Sequence, residues 1–97
     1  MKIVPLSDPP YSRRPNEKYE AKRTMLMSTN PILADAIPMM EERILRMPLS
    51  VGKWGVDPPN VRHVKVANHW VIFWRVHQGT REVEFIQIGH HDEFFVR

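Results

Sequence analysis

The sequence contains no cysteine, so disulfide bonds and thiolate metal sites are excluded. It also lacks any apolar run approaching the roughly 20 residues that a membrane-spanning helix needs, and no signal-peptide core follows its start. These absences predict a cytoplasmic protein that does not enter the membrane. The length of 97 residues, 42% of them hydrophobic, predicts a single domain over residues 1–97, with a proline-rich N-terminal segment at 1–15.

Positive charge is concentrated near the start of the chain, where residues 1–23 carry the whole excess behind the net charge of +3. The basic residues there are Lys2, Arg13, Arg14, Lys18, Lys22 and Arg23, and the acidic ones are Asp8, Glu17 and Glu20. A segment with such an excess attracts phosphates or an acidic protein surface. A solvated helix face is the alternative, and charge alone does not decide between the two.

The hydrophobic pattern predicts an α+β fold with the order β-α-α-β-β-β, an antiparallel sheet with two helices packed on one face. The predicted elements are an edge strand at Lys2–Leu6, helices at Asn16–Met27 and from Pro31 to about Met47, and strands at Val61–Ala67, His69–His77 and Glu82–Ile88. Ser28-Thr29-Asn30-Pro31 is the start signal of the second helix, because a capping residue precedes a proline at the first helical position. Pro38 implies either a kink in this helix or a start near Asp35.

The pattern of the last strands assigns their side chains to two faces. If Gly79-Thr80 forms the hairpin turn, Trp74 lies opposite Phe85, and directly opposed residues share a face. One face is then a core for the helices, formed by Val64, Val66, Val71, Phe73, Ile86 and Ile88. The other face carries His63, Lys65, Trp70, Ile72, Trp74, Phe85 and Gln87. Aromatic rings beside cations suit stacked bases with phosphates nearby; a small second core beneath the N-terminal segment is the alternative.

All 5 histidines lie in the strand-rich last third of the sequence: His63, His69, His77, His90 and His91. Imidazole titrates near neutrality, so two of them can serve as general base and general acid without a metal. Metal binding by His90, His91, Asp92 and Glu93 is the competing interpretation. Adjacent side chains at the end of a strand diverge, however, and no HxxxH or HxH spacing is present. We therefore predict no metal site.

Three runs of residues resemble a known family: Val61-Arg62-His63-Val64-Lys65, His69-Trp70-Val71-Ile72-Phe73-Trp74-Arg75 and Ile86-Gln87-Ile88-Gly89-His90-His91-Asp92-Glu93-Phe94-Phe95. They resemble the RelE/ParE toxin superfamily, nearest its YafQ-like branch. The pattern of that branch is a histidine strand, an aspartate-tryptophan start to the next strand and a terminal Gly-x-His-x-x-x-Phe. The resemblance covers roughly the C-terminal two thirds of the chain, and the order β-α-α-β-β-β is also that of the superfamily.

The resemblance implies the toxin of a type II toxin–antitoxin pair, a ribosome-dependent endoribonuclease that cuts mRNA through attack of a 2′-OH without a metal or other cofactor. By position, His63 matches a functional strand histidine, Trp70 the tryptophan, His91 the terminal catalytic histidine and Phe95 the closing aromatic residue. Two positions depart from the family. His69 stands where the family has aspartate, and Gln87 stands where it has arginine.

Cleavage of this kind needs a base for the 2′-OH, an acid for the leaving 5′-oxygen and positive charge on the phosphorane-like transition state. The predicted catalytic residues are His91, His63, His69, Lys65 and Gln87. The predicted nucleic-acid contacts are Arg62, Trp70, Trp74, Phe95, Arg13, Arg14, Lys22 and Arg23. Because glutamine donates hydrogen bonds without charge, Lys65 or Arg62 must supply the cation that the arginine supplies in the family.

The expected partners are mRNA on the ribosome and a cognate antitoxin, which lays a helix or strand bearing acidic residues over the same surface in a hetero-oligomer. Two alternatives stay open. One is a ParE-like toxin that binds DNA gyrase and cuts no RNA, and the other is a non-catalytic interaction domain on the same scaffold. The nuclease would cleave RNA with a bell-shaped pH profile, and the gyrase-binding toxin would block supercoiling. The non-catalytic domain would do neither.

Overall fold

The chain forms an α+β fold in which two helices pack on a mixed sheet. The structure is a computed structural model, and it describes residues 11–54 and 60–95. The elements are β1 (Ser12–Arg14), α1 (Glu17–Thr29), α2 (Pro31–Arg46), β2 (Lys53–Trp54), β3 (Val61–Val66), β4 (Trp70–His77), β5 (Glu82–His90) and α3 (His91–Phe94). Within these residues no helix combines the length and the apolar character needed to span a bilayer.

Both long helices begin at an asparagine cap. The Asn16 side chain accepts a hydrogen bond from the amide of Tyr19, and the Asn30 side chain accepts from the amides of Ile32 and Leu33. These bonds satisfy amide groups that have no partner inside the helix. The second helix therefore begins at Pro31, as Asn30-Pro31 predicts, and continues through Pro38 rather than starting near Asp35.

The sheet has the strand order β1-β5-β4-β3-β2. Strand β1 pairs parallel with β5, and its first amide, on Ser12, donates to the carbonyl of Arg81 at 3.0 Å. The other neighbouring strands pair antiparallel, so the prediction of a purely antiparallel sheet is wrong at this edge. The predicted strand Lys2–Leu6 lies outside the described residues, and the strand that pairs at this edge comes later, in the proline-rich segment.

A β-bulge in β5 decides which side chains face the helices. Trp74 pairs with Phe85, as predicted, but Phe73 pairs with Gln87, which leaves Ile86 as the extra residue. A bulge shifts the alternation of the strand by one position, so Phe85 and Ile88 both reach the helix side. The regular alternation that the sequence predicted from Phe85 to Ile88 is therefore interrupted at Ile86.

The face assignment of β4 was wrong throughout. Strand β3 pairs His63 with Phe73 and Lys65 with Val71. Because opposed residues share a face, Val71 and Phe73 lie on the side of the two polar residues, and Trp70, Ile72 and Trp74 lie on the helix side. The predicted faces of His63, Lys65, Val64 and Val66 are confirmed, since the two valines pack with the core.

The core lies between the helices and the inner face of the sheet. Its members are Tyr19, Leu26, Leu33, Ile37 and Ile44 from the helices, Val51, and Val66, Ile72, Trp74, Val83, Phe85 and Ile88 from the strands. Trp74 is fully buried, and its Nε1 donates to the carbonyl of Pro48 at 3.1 Å. The apolar stripe of α2 ends at Ile44, because Met47 is 49% exposed.

Candidate functional site

A cleft of about 440 Å³ opens beside the sheet face that carries His63 and Lys65. We call it the His63 cleft; its lining residues are Gly52, Lys53, His63, Val64, Lys65, Val71, His91 and Phe95. Strand β3 supplies the first histidine and one lysine, and the end of the chain supplies the second histidine and the phenylalanine. Positive and titratable side chains are thus gathered around one opening.

The loop before β2 brings Lys53 to the cleft. Lys53 is the pairing partner of His63 across β2 and β3. Gly52 precedes it with φ of +73°, and a Cβ at that position would lie 2.3 Å from the carbonyl oxygen of His63. Only glycine combines this left-handed backbone with so close an approach to β3. The loop can therefore set Lys53 against the histidine only with glycine at position 52.

The helical turn α3 returns the chain end toward the sheet. His90 caps it, since its Nδ1 accepts from the amide of Asp92 at 3.1 Å while the Glu93 side chain accepts from the His90 amide at 3.1 Å. Lys22 Nζ donates to Glu93 at 2.8 Å. The hydrogen bonds from Lys22 and from the His90 amide lower the pKa of Glu93 below its ordinary value. A Cβ on Gly89 would lie 2.7 Å from Glu93 Oε1 and 3.0 Å from the Phe94 ring, so a larger residue there would displace these two side chains of α3.

Aromatic contacts join α3 to the sheet. The ring centroid of Phe95 lies 5.5 Å from that of His63 and 4.8 Å from that of His91. Phe94 packs edge-on against Phe73 at 4.8 Å, and the Phe73 ring in turn lies 5.4 Å from His63. Phe95 therefore contacts both cleft histidines.

His63 has an unusual electrostatic setting. Its Nδ1 is buried and has no hydrogen-bond partner among the described residues. Partial burial, with smaller contributions from the charges of Lys53 and Arg62, lowers the pKa of His63 below 6.5. The lowered pKa favours the neutral ring of His63 at pH 7, in which one of the two nitrogens has a lone pair that can accept a proton.

The structure brings some of the predicted catalytic residues together and separates others. His63, His91 and Lys65 line the cleft. His69 lies outside it: its ring stacks on His90 with centroids 5.9 Å apart, and its carbonyl accepts from the His91 amide at 2.7 Å. Gln87 is exposed opposite Phe73 and lines a different depression, beside α1.

Three of the predicted nucleic-acid contacts are placed differently from the prediction. Arg62 is 6% exposed, and its guanidinium donates to the carbonyls of Val51 and Gly52 at 3.0 and 2.9 Å, so it holds the loop before β2. Trp74 is a core residue and offers no face to a base. Trp70 lies on the helix side and is half-buried, edge-on to His90 at 5.3 Å. Phe95, at 42% exposure, is the aromatic ring that the cleft presents.

Acidic side chains compensate the basic residues of the N-terminal segment. Arg13 and Arg23 both bind the buried carboxylate of Glu41, at 3.1 and 2.7 Å, and Tyr19 Oη donates to it at 2.6 Å. Arg14 lies 3.7 Å from Glu82, and Lys22 pairs with Glu93. The prediction that this segment contacts phosphates did not take these acidic partners into account, because they lie far away in the sequence.

Sequence reasoning missed Lys53 and Glu41. Lys53 follows the loop glycine Gly52, and no pattern connected that loop with β3. A signal for Glu41 was present, because it stands 4 residues after Ile37 and 3 before Ile44, on the buried face of α2. Burial alone would raise the pKa of Glu41, but hydrogen bonds from Arg23, Arg13 and Tyr19 outweigh it and lower that pKa.

Comparison with known proteins gives no relative: no protein-family model matches the chain, and neither a curated protein nor a solved structure is similar to it. Within residues 11–54 and 60–95 no group of three histidine, aspartate or glutamate side chains is placed to hold a metal ion. The chemistry of the cleft must therefore be argued from its own residues.

Proposed function

We propose that the chain is a RelE/ParE-like toxin of a type II toxin–antitoxin system and cuts mRNA on the ribosome by attack of a 2′-OH on the adjacent phosphate. The observation that carries this proposal is the His63 cleft, where a neutral histidine with an unpartnered buried Nδ1 lies near a second histidine and two lysines. A base, an acid and positive charge around one opening are what this reaction needs.

His63 is the general base. A ribose 2′-OH that enters the cleft donates its hydrogen to Nδ1, which satisfies the unpaired nitrogen. As the proton moves to His63, the 2′-oxygen forms a bond to phosphorus and the bond from phosphorus to the 5′-oxygen breaks. The products are a 2′,3′-cyclic phosphate and a free 5′-hydroxyl, and no oxidant or cofactor enters the reaction.

His91 is the general acid. It lines the same cleft, across the Phe95 ring from His63. In the protonated form it has the carboxylate of Asp92 as an ion-pair partner, with Nδ1 and Oδ1 3.6 Å apart. The imidazolium gives its proton to the departing 5′-oxygen, so that no unstable alkoxide is released.

Lys65 and Lys53 hold the non-bridging phosphate oxygens. Both line the cleft, whereas Arg62 is bound to backbone carbonyls and Gln87 carries no charge. Two lysines replace the positive charge that arginine supplies at the position of Gln87 in the family that the sequence resembles. Loss of one such group at the transition state reduces the rate by about 10²–10³-fold.

Phe95 controls access to the base. The rings that contact His63 are those of Phe73, in the sheet, and Phe95, near the end of the chain and 42% exposed. Displacement of Phe95 opens Nδ1 to the substrate, and the displaced ring can stack on a base. Trp74 and Phe85 are buried in the core, so Phe95 is the ring that supports base stacking in this proposal.

A cognate antitoxin is the proposed regulator of this site, in a cytoplasmic hetero-oligomer. The lysines and histidines of the cleft favour a segment with acidic side chains. Such a segment would compete directly with the phosphates of mRNA.

Primer extension on mRNA from briefly induced cells tests the proposal. His91→Ala is the test variant. His77→Ala is the matched control, because His77 pairs with Glu84 at 2.9 Å and does not line the cleft. We expect discrete cuts with the wild type and the control, and none with His91→Ala. Growth arrest without cuts would indicate a protein target such as gyrase, and neither arrest nor cuts would leave a scaffold protein.

A further inference from the structure

One edge of the sheet is only partly paired. Strand β1 pairs with Glu82–Glu84, the first residues of β5, and the chain then leaves the sheet at Pro15 to enter α1. From Phe85 to His90, β5 pairs with β4 on one side, and no strand from the described residues lies on the other. The His90 amide already donates to Glu93, so the edge available for pairing ends at Gly89. Main-chain groups on that side form a template for a further strand.

A groove runs beside this open edge. It has a volume of about 780 Å³ and lies between α1 and the open part of β5, with α3 at one side. We call it the β5 groove. Its apolar lining comes from Met25 of α1, from Ile86 and Ile88 of β5 and from Phe94 of α3. Met25 is 50% exposed, although it is a large apolar side chain on a surface helix.

We propose that the β5 groove binds an extended peptide segment of a partner protein, which adds to β5 as a strand. Open main-chain donors and acceptors next to an apolar groove fit an extended chain with apolar side chains at alternate positions. A helix satisfies its own main-chain groups and would leave those of β5 unpaired. The proposal concerns a surface outside the His63 cleft and does not depend on RNA cleavage.

Charge at the rim indicates the composition of the peptide. The charged residues of the groove are Lys18, Lys22 and Glu93, which gives one net positive charge. Lys22 is paired with Glu93, whereas exposed Lys18 has no hydrogen bond or ion pair with the described residues. An acidic residue flanking the apolar positions would complement Lys18.

The direction of β1 leaves the open segment of β5 available to a partner segment. Because β1 is parallel to β5, the chain enters β1 beside Arg81, at the end remote from the open segment. It reaches the open segment only at Pro15, where it turns into α1. A partner segment can therefore continue the line of β1 along β5 without displacing a described strand.

Peptide binding and hydrogen exchange test the proposal. The probe is a labelled, acetylated peptide of about eight residues, with valines at alternate positions, threonines between them and aspartate at both ends. We expect it to bind and to slow exchange of those amides within Phe85–Gly89 that point away from β4. A copy that is N-methylated at alternate residues, which lacks the main-chain donors, should bind at least about tenfold more weakly, a difference near 1.4 kcal/mol.

Two methionines provide matched variants. Met25 lines the β5 groove, and Met39, 72% exposed on α2, does not. Met25→Lys should weaken peptide binding about tenfold, and Met39→Lys should leave it unchanged. Since both side chains are exposed, neither change threatens folding.

Several results would overturn the proposal. One is no binding of the peptide at millimolar concentration. Another is equal affinity of the N-methylated copy. Strong protection, in the isolated chain, of the Phe85–Gly89 amides that point away from β4 would mean that its own residues cover the edge if the chain is a monomer, or a second copy if it is a dimer. Each would exclude a partner peptide while leaving the cleavage proposal untouched.

Discussion

Phe95 covers the ring of His63, with the two ring centroids 5.5 Å apart and 42% of Phe95 exposed. The contact joins Phe95 to strand β3, where Nδ1 of His63 is buried and the Phe73 ring also lies 5.4 Å from the imidazole. Of the two phenylalanine rings beside the proposed base, Phe95 is the more exposed. Four predictions follow from this relationship and from the contacts that support it.

Removal of the covering ring should raise the pKa of His63. Burial is the largest cause of its lowered pKa, ahead of Lys53 and Arg62, so Phe95→Ala should move it back toward 6.5. An NMR titration of the histidine ring protons would measure the change. Leu49→Ala is the control, because Leu49 is similarly exposed, at 40%, and does not line the cleft. An unchanged pKa in Phe95→Ala would contradict the covering role.

The lowered pKa of His63 also makes folding depend on pH. The pKa of His63 is lower in the folded state than in the unfolded chain, where it is 6.5. At pH values between these two pKa values the folded state therefore binds fewer protons than the unfolded chain. The contribution of His63 is thus at its best above pH 6.5 and declines as pH falls from there toward the folded-state pKa. The free energy of unfolding of His63→Leu, measured in urea, should therefore rise relative to that of the wild type as pH drops from 8 to 5. A constant difference would contradict the lowered pKa.

Gly89→Ala should detach α3 from β5. The added Cβ would lie 2.7 Å from Glu93 Oε1 and 3.0 Å from the Phe94 ring, so both side chains that hold α3 against β5 must move. Faster amide exchange at the chain end and a higher pKa of His63 are expected. Gly79→Ala is the matched control, since a Cβ at Gly79 meets no atom within 4 Å. Unchanged exchange at the chain end in Gly89→Ala would show that α3 does not need the close approach.

Glu41→Gln should cost about 1–3 kcal/mol of unfolding free energy near pH 7, because Arg13, Arg23 and Tyr19 would lose their hydrogen bonds to the buried carboxylate. Its pKa is lowered in the folded state, so its contribution is present above the ordinary value of 4.5 and is lost as pH falls through the folded-state pKa. The gap to wild type should thus close in acid. Glu42→Gln is the control: Glu42 is exposed and pairs with Arg46, and its loss should change stability by less than about 1 kcal/mol.

Local signals predicted the two long helices and strands β3 to β5, but not the short elements β1, β2 and α3. Asn30-Pro31 marks the start of α2, and the pairing of Trp74 with Phe85 follows from the hairpin turn. The faces were harder, since the bulge at Ile86 shifts the alternation by one residue and has no distinctive local signal. The position of Trp74 in the core follows from the register of β3 against β4, which is a long-range property.

The candidate site was also predicted in part. His63, Lys65, His91 and Phe95 were proposed from strand spacing and from the terminal motif, and they line one cleft. The roles of Arg62 and Arg13 could not be foreseen, because their partners are a loop carbonyl at Val51 and a carboxylate 28 residues away. Charges that are paired over such distances look unpaired in a sequence.

The most direct test of the cleavage proposal is to incubate the purified protein with ribosome-bound mRNA and to identify the ends of any fragments. His63→Ala and His77→Ala are measured alongside the wild type. We predict fragments that end in a 2′,3′-cyclic phosphate and begin with a 5′-hydroxyl, from the wild type and His77→Ala but not from His63→Ala. Intact mRNA with the wild type, or the same cuts with His63→Ala, would contradict the assignment of His63 as the base.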